Sequence, residues 1–348
     1  MSFSAARALR RRLRAVSLSA LAMLVAVSAF AAGVSSAAKP HVSGSFALPH
    51  GLAPGGFVEH GFVAGPANTV WMTTSTATGG TRKPALMRIG PTGHMSAVKI
   101  GVPGGIDFSG VGVGPGNVIW FSGTEGASPH KGVSGTVAGT TAHFAIASDS
   151  SSWDQLAVIG GTAYLTTGFN DLLTSTNGTT FSSLILENLS PFDVVAFNGG
   201  LALAGDGALG TLASPTPNAA DVSATLFTSP SGATLSSRYE TVAGGKVWFL
   251  QQESGGGVQG IGSAGADGVV TVVPLRAARN ITTGPDGAPW VLSSTSALRL
   301  GPTGSVTASV KLPHGQTGIL IAGASKKYVW VATLKRSSGA SHVIRISV

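Results

Sequence analysis

The chain contains no cysteine and little charge, and both absences exclude classes of protein. Without cysteine there is no disulfide framework, no thiolate nucleophile and no lipidated cysteine anchor. Charged residues make up 10% of the 348 residues, and five of the basic ones are arginines before residue 39, where no acid occurs. The rest of the chain carries a formal charge of +3, with no run of Lys or Arg. We therefore expect no nucleic-acid ligand.

Strong catalytic motifs are also missing from the sequence. It has no His-Glu-x-x-His zinc site, no phosphate-binding P-loop, no Gly-x-Ser-x-Gly nucleophile elbow and no Asp-rich calcium loop. Turn-forming residues are abundant instead, with 50 Gly and 18 Pro. This composition favours an all-β chain with many tight turns.

The N-terminal segment has the features of a targeting signal. Arginines between residues 7 and 14 precede an apolar run over residues 15–32, and Ala29-Phe30-Ala31 offers a small-x-small cleavage site. An uncleaved membrane anchor is the alternative, because the run approaches the length that spans a bilayer. We predict that residues 1–38 are a signal peptide or N-terminal anchor. Residues 39–348 are then a single secreted, extracytoplasmic domain, expected to be monomeric and to meet a membrane only through an uncleaved N-terminus.

The remaining sequence repeats one unit of four strand-like runs. The clearest copy spans residues 280–315, in which Gly284-Pro285-Asp286-Gly287 precedes a strand around Trp290 and the run LRLGPTG follows. The marker position recurs at intervals of 39 to 49 residues, at Trp71, Trp120, Tyr164, Leu203, Trp248, Trp290 and Trp330. Seven four-stranded units of this length predict a seven-bladed β-propeller with four antiparallel strands per blade. The Trp residues fall within strands at constant phase, which predicts that they pack between blades.

The two ends of the repeat array complement each other. The last copy stops at Val348 after its third strand, while HVSGSFALPHG at residues 41–51 resembles SVTASVKLPHG at residues 305–315. The N-terminal strand is therefore predicted to supply the fourth strand of the seventh blade and to close the ring.

The pattern GPDG-x-x-Trp followed by LRLGPTG resembles the repeat of the virginiamycin B lyase family of seven-bladed propellers. The resemblance implies an Mg²⁺-dependent elimination that opens a cyclic ester. It also implies a site made of a His-Gly-hydrophobic element in two adjacent blades, a Glu two residues before one of the two His, and a Glu three residues after a blade Trp. His60-Gly61-Phe62 fits this element, but Glu59 is one residue out of place. The positions three after the blade Trp residues hold Thr74, Gly123, Gln251, Ser293 and Thr333. The family's metal site is thus not reproduced.

The first residues of the inner strands are expected to surround one mouth of the central channel. The equivalent positions are His60, Ser109, Asp154, Phe192, Tyr239, Arg279 and Thr317, flanked by Glu59, Asp193, Glu240 and Asn280. This polar, mixed ring suits a small polar ligand, although residues at strand starts are just as often solvated turn residues. His60 and Glu59 are the only candidate catalytic pair that the resemblance suggests.

Two functions follow from these observations. In the first, the protein is a propeller that binds a small molecule, a polymer or a protein at the central channel without catalysis. In the second, it is a lyase or hydrolase with a rearranged site around His60, and only this second function requires Mg²⁺.

Overall fold

The described part of the chain forms seven antiparallel sheets arranged as a closed ring of blades. The computed structural model describes residues 39–55, 61–76, 84–102, 105–125, 131–139, 141–146, 155–167, 169–205, 208–213, 222–227, 236–252, 258–323, 327–335 and 337–348. The predicted all-β, seven-bladed β-propeller is therefore confirmed. The predicted signal segment, residues 1–38, lies outside the described residues.

Each blade is built from strands that follow one another along the chain, except that the first strand, β1 (His41–Ala47), belongs to the last blade. In blade 1 the strands are β2 (Leu52–Pro54), β3 (Phe62–Ala64), β4 (Val70–Thr76), β5 (Leu86–Ile89) and β6 (Met95–Val98), with β2 and β3 both paired to β4. In blade 2 they are β7 (Ile106–Val113), β8 (Ile119–Glu125), β9 (Gly132–Ala138) and β10 (Thr141–Ile146). In blade 3 they are β11 (Gln155–Ile159), β12 (Thr162–Thr166), β13 (Asp171–Ser175) and β14 (Ser182–Ile185).

The remaining four blades have the same order of strands. Blade 4 contains β15 (Pro191–Phe197), β16 (Gly200–Gly205), β17 (Ala208–Leu212) and β18 (Thr225–Leu226). Blade 5 contains β19 (Ser236–Ala243), β20 (Lys246–Gln252), β21 (Val258–Ala264) and β22 (Val270–Pro274). Blade 6 contains β23 (Ala278–Thr283), β24 (Pro289–Ser293), β25 (Ser296–Leu300) and β26 (Val306–Lys311), and blade 7 contains β27 (Gln316–Gly323), β28 (Tyr328–Lys335), β29 (Ser341–Ser347) and β1. Contacts between successive inner strands close the circle β3, β7, β11, β15, β19, β23, β27 and back to β3.

The hydrophobic core is divided among the seven interfaces between neighbouring blades. The marker aromatic residues lie in these interfaces as predicted: Trp290 packs against blade 7, and Trp330 packs against blade 1. The repeat alignment also holds in the strand register, since Trp71, Trp290 and Trp330 stand opposite Arg88, Arg299 and Arg345. Because a lone four-stranded sheet cannot bury its faces, each blade is stabilised mainly by its neighbours.

The fourth blade departs from the predicted alignment by one residue. Leu203, assigned there as the marker, packs back against blade 3. Ala202 lies in the third residue pair from the turn between the first two strands of its blade, as Tyr164 and Trp248 do in theirs, and it faces blade 5. In a strand a shift of one residue moves a side chain to the opposite face. The assignment of Leu203 was therefore wrong, and the small Ala202 occupies the place of the aromatic residue.

The repeated Gly before each of three Trp markers has a packing role. A Cβ on Gly114 would lie 2.5 Å from Nε1 of Trp120, and a Cβ on Gly65 would lie 2.5 Å from Cδ1 of Trp71. Gly284 is equally close to the Trp290 indole. The motif therefore specifies a glycine because the indole lies directly over the backbone at that point.

Closure of the ring uses the N-terminal strand, as predicted. Strand β1 pairs with β29 in an antiparallel register that runs from His41 opposite Ser347 to Ala47 opposite His342. This pairing gives blade 7 its fourth strand and covers the outer edge of β29, the C-terminal strand. Within the described residues, no helix has the length and apolar character needed to cross a bilayer.

Arg345 connects three parts of this closure. Its guanidinium group donates to the Ser43 carbonyl at 3.0 Å and to the Ser43 hydroxyl at 3.1 Å, and it also donates to the Pro91 carbonyl of blade 1. Its charge lies 4.8 Å from the ring centroid of Tyr328 and 5.7 Å from that of Phe46. Arg345 therefore joins the third strand of blade 7, the closing strand and the neighbouring blade.

We predict that Arg345→Ala lowers the free energy of unfolding by about 1.5–3 kcal/mol, because it removes several charge-assisted hydrogen bonds across the closure. Arg299→Ala is the matched control. Arg299 holds the same repeat position, but its 2.5 Å ion pair with Asp286 is partly exposed, so its loss should cost less than about 1 kcal/mol. Urea unfolding followed by Trp fluorescence measures both. Equal losses in the two variants would contradict a special role for Arg345.

Candidate functional site

Most inner strands carry a β-bulge at the end where they enter the channel. The extra residues of these bulges are Ser109, Phe192, Tyr239, Arg279 and Ile319. Four of these five are residues predicted to surround the mouth, whereas in blade 7 the equivalent position is Ile319 and Thr317 is paired with Leu334. A bulge leaves one residue outside the ladder and redirects the side chains next to it.

The predicted mouth residues have different environments. Ser109 is half-buried, and its hydroxyl lies 3.1 Å from that of Ser122, while Arg279 is exposed. Tyr239 is placed as part of β19 through its backbone. Glu59, His60 and Asp154 lie outside the described residues, so the candidate catalytic pair stays a prediction.

The residues that follow three of these bulges lie together on one cavity. Asp193, Glu240 and Asn280 come from adjacent blades 4, 5 and 6, and all three line a cavity of about 240 Å³ between the inner strands. Their exposed fractions are only 1%, 4% and 3%. The sequence identified these residues as neighbours of the mouth, and the fold brings them onto a common buried surface.

The wall of this cavity is otherwise apolar or weakly polar. Its further lining residues are Phe62, Val63, Ala64, Val195, Thr241, Ile281, Thr282, Ile321, Ala322 and Gly323. Apart from Phe62, which belongs to the His60-Gly61-Phe62 element, these residues were not predicted from the sequence to line a site. Val195 carried a usable signal, since it is two residues from Asp193 on β15 and thus on the same face.

Asp193 is held by backbone hydrogen bonds. Its Oδ1 accepts from the Val194 amide at 2.6 Å, and its Oδ2 accepts from the Glu240 amide at 2.7 Å. The second bond joins the inner strands of blades 4 and 5. It holds the Asp193 carboxylate beside the backbone of Glu240, the second acid of the cavity.

Glu240 and Asn280 each have buried side-chain atoms without a hydrogen-bond partner among the described residues. Neither carboxylate oxygen of Glu240, nor Nδ2 of Asn280, has a hydrogen-bond partner among the described residues. Burial, reinforced by the negative charge of Asp193, raises the pKa of Glu240 well above its ordinary value of 4.5. The backbone amide of Ala204 partly opposes this increase without meeting the geometry of a hydrogen bond.

Residues at the position of the lyase glutamate are used for local structure in this chain. Thr74 donates to the Ala85 carbonyl at 3.0 Å, Ser293 donates to the Ser296 carbonyl at 3.0 Å, and Thr333 donates to Gln316 Oε1 at 2.7 Å. The described part of the chain also contains no group of three His, Asp or Glu side chains placed to hold a metal ion. These hydrogen bonds join neighbouring strands of a blade and do not build a ligand set.

Known structures with the same fold cover almost the whole chain at low identity. A catalytically inactive virginiamycin B lyase from Staphylococcus aureus, with quinupristin, has a TM-score of 0.67 at 15% identity over 89% of this chain and 99% of its own. YCF48 bound to D1 peptide has a TM-score of 0.59 at 11% identity, covering 88% and 94% of the two chains. The WD40 propeller domain of Doa1 has a TM-score of 0.61 at 12% identity, covering 88% and 97%.

The comparison supports the predicted resemblance to virginiamycin B lyase at the level of the fold. No family model matches the sequence, and no curated protein matches it. At these identities the shared fold does not transfer an activity, because function depends on the residues of the site.

We predict that Glu240→Gln stabilises the protein more at pH 8 than at pH 4. A raised pKa means that the folded state binds more protons than the unfolded state as the pH rises above about 4.5. The wild type therefore loses stability across this window, by about 1.4 kcal/mol for each unit by which the pKa is raised, and the amide avoids that loss. Urea unfolding at the two pH values measures the difference.

Glu187→Gln is the control for this prediction, because Glu187 is exposed and accepts a hydrogen bond from Ser223. A pH-independent difference between Glu240→Gln and the wild type would show that Glu240 has an ordinary pKa in the folded protein.

Proposed function

We propose that the protein is a propeller that binds a ligand in its central cavity without catalysis. The observation that carries this proposal is a cavity of about 240 Å³ lined by Glu240 and Asn280, whose carboxylate oxygens and Nδ2 have no hydrogen-bond partner among the described residues. Buried polar groups without partners destabilise a fold by roughly 1–3 kcal/mol each, and these two side chains line a common cavity. A ligand with complementary groups would satisfy them.

Two known structures give independent support for binding by this fold. The virginiamycin B lyase structure holds quinupristin, and the YCF48 structure holds the D1 peptide. The cavity here is smaller than the roughly 300–1,000 Å³ of ordinary ligand pockets, so we favour a small molecule over a polymer or a protein. Binding without catalysis is favoured because the positions of the lyase glutamate hold no carboxylate in this chain.

We predict that filling the cavity abolishes binding. Val195→Phe enlarges a half-buried side chain that lines the cavity, whereas Val272→Phe makes the same change on an exposed residue of β22. A fragment set with cationic, anionic and neutral members, screened by saturation-transfer NMR, should give hits with the wild type and with Val272→Phe. Circular dichroism confirms that both variants fold. The proposal fails if no fragment binds, or if Val195→Phe retains the hits.

The enzymatic alternative is tested in the same samples. Incubation with quinupristin and Mg²⁺ should leave the cyclic ester unchanged in chromatographic retention time and in mass. Elimination would change the retention time alone, because the opened product is an isomer, whereas hydrolysis would change the retention time and add the mass of water. If the wild type consumes quinupristin and His60→Ala does not, the binding proposal is wrong and the protein is a lyase or hydrolase centred on His60.

We also propose that the protein works outside the cytoplasm. The arginine-rich and apolar order of the N-terminus supports this location. Expression of the full chain in a bacterial host should yield an exported product whose intact mass shows cleavage after Ala31, the site within the predicted segment 1–38. A full-length product retained with the membrane would instead show that the segment is an anchor.

A further inference from the structure

Two buried residues of the central cavity have complementary hydrogen-bonding requirements. Glu240 in blade 5 has two carboxyl oxygens, and Asn280 in blade 6 has an amide nitrogen, Nδ2, that lack a partner among the described residues. Their exposed fractions are 4% and 3%, and both side chains line the cavity. The carboxyl oxygens require at least one donor, and the amide nitrogen requires an acceptor. A ligand that satisfies both residues must therefore carry a donor and an acceptor.

The fold brings these two side chains to equivalent places on adjacent inner strands. Glu240 is the first residue after the bulge of β19 and stands opposite Phe249, while Asn280 is the first residue after the bulge of β23 and stands opposite Leu292. Strands β19 and β23 contact each other directly. A single compact ligand group can therefore face both residues.

A second cavity in the same protein has no such requirement. It also has a volume of about 240 Å³ and lies between blades 5 and 6, lined by residues that include Lys246, Asp286 and Arg299. There Asp286 accepts from Arg299 at 2.5 Å and from the Trp290 indole at 3.2 Å. No side chain of that lining has a buried polar atom without a partner among the described residues. The unsatisfied atoms thus distinguish the central cavity from a cavity of equal size in the same fold.

Charged ligand groups match the unsatisfied atoms poorly. An ammonium group has three donors and no acceptor, so it would leave Nδ2 of Asn280 unsatisfied. A carboxylate has acceptors and no donor, and the negative charge of Asp193 opposes its entry. Burial raises the pKa of Glu240, which favours the neutral carboxyl group, and a neutral carboxyl group does not require an ionic partner. A neutral ligand group is therefore favoured.

A carboxamide carries the required donor and acceptor side by side. Its N–H donates to one oxygen of the Glu240 carboxyl group, and its carbonyl oxygen accepts from the carboxyl O–H. The second lone pair of the same carbonyl oxygen accepts from Nδ2 of Asn280. A hydroxyl group, with a single oxygen, does not form the two parallel hydrogen bonds that a carboxamide forms with a carboxyl group.

The rest of the cavity wall limits the remainder of the ligand. Phe62, Val195, Ile281 and Ile321 contribute apolar surface, which favours a hydrocarbon substituent. The cavity of about 240 Å³ has room for about eight water-sized groups at roughly 30 Å³ each. A short, branched aliphatic carboxamide fits both the volume and the apolar wall.

We infer that the central cavity binds a small neutral carboxamide, with the amide group at Glu240 and Asn280 and the hydrocarbon substituent on the apolar wall. This inference rests on the proposed function and specifies its ligand class. Each residue has its own role: Glu240 pairs with the N–H and the carbonyl oxygen of the ligand, and Asn280 pairs with the carbonyl oxygen.

A series of compounds with one carbon skeleton tests the ligand class: isovaleramide, isovalerate, isoamylamine and isoamyl alcohol. Titration of each compound into the protein, followed by saturation-transfer NMR, gives the relative affinities. We expect isovaleramide to bind at least about tenfold more tightly than the other three, because each of them leaves at least one hydrogen bond of the site unmade.

Substitutions at the two residues test the assigned contacts. Glu240→Leu and Asn280→Leu remove the hydrogen-bonding groups at similar side-chain volume, so each should weaken the binding of isovaleramide at least about tenfold. Glu240→Gln restores a donor and an acceptor and should recover most of the affinity that Glu240→Leu loses. Glu187→Leu is the matched control, because it makes the same change at an exposed acid outside the cavity. Circular dichroism confirms that each variant folds.

Three outcomes would overturn the inference: binding of the amine, the carboxylate or the alcohol as tight as that of isovaleramide, unchanged affinity in Glu240→Leu or Asn280→Leu, or affinity in Glu240→Gln as low as in Glu240→Leu. The last result would show that the charge of Glu240 is recognised rather than its paired donor and acceptor. These results are distinguishable from failure of the proposed function. If charged fragments bind the wild type and are lost in Val195→Phe, the cavity is a binding site and only the carboxamide is wrong. If nothing binds, both fail.

Discussion

The pairing of the N-terminal strand with the C-terminal strand is the constraint on which the rest of the structure depends. It joins β1 to β29, and Arg345 bonds to Ser43 across a separation of 302 residues. No disulfide holds the ring, because the chain has no cysteine. Strand pairing and packing between blades must therefore offset the entropy of closing so long a chain. Only a closed ring places seven inner strands around one axis and so creates the cavity.

That cavity has a stability cost that the rest of the fold must offset. Asp193 and Glu240 lie in adjacent blades, bridged by a hydrogen bond from the backbone amide of Glu240, and both are almost wholly buried. Replacing buried charged groups by well-packed hydrophobic residues of similar volume is often neutral or stabilising. Conflict between local stability and the observed residues is typical of functional sites. The seven interfaces between blades, each with its own hydrophobic cluster, supply the stability that makes this arrangement tolerable.

The likeness to virginiamycin B lyase is a likeness of fold, and the residues of the repeat explain it. The repeat with its Gly, Trp and Arg positions specifies the blade, since Gly65 and Gly114 accommodate an indole and Trp71 pairs with Arg88. The Trp–Arg pair recurs in blades 6 and 7, and the close approach of glycine to the indole recurs in blade 6. The blade itself does not need a particular residue at the position of the family's glutamate. In this chain Thr74, Ser293 and Thr333 occupy that position and make hydrogen bonds between neighbouring strands.

The fold class, the number of blades and the closing strand could be predicted from the sequence, because turns and two-residue alternation are local signals repeated seven times. In blade 4, which has no aromatic marker, the prediction was wrong, because it placed Leu203 where the structure has Ala202. The site followed only in part. Sequence position suggested Asp193, Glu240 and Asn280, but only the tertiary structure decided that they are buried together on one cavity. That outcome depends on bulges in separate strands and on closure of the ring, and neither is a local property of the chain.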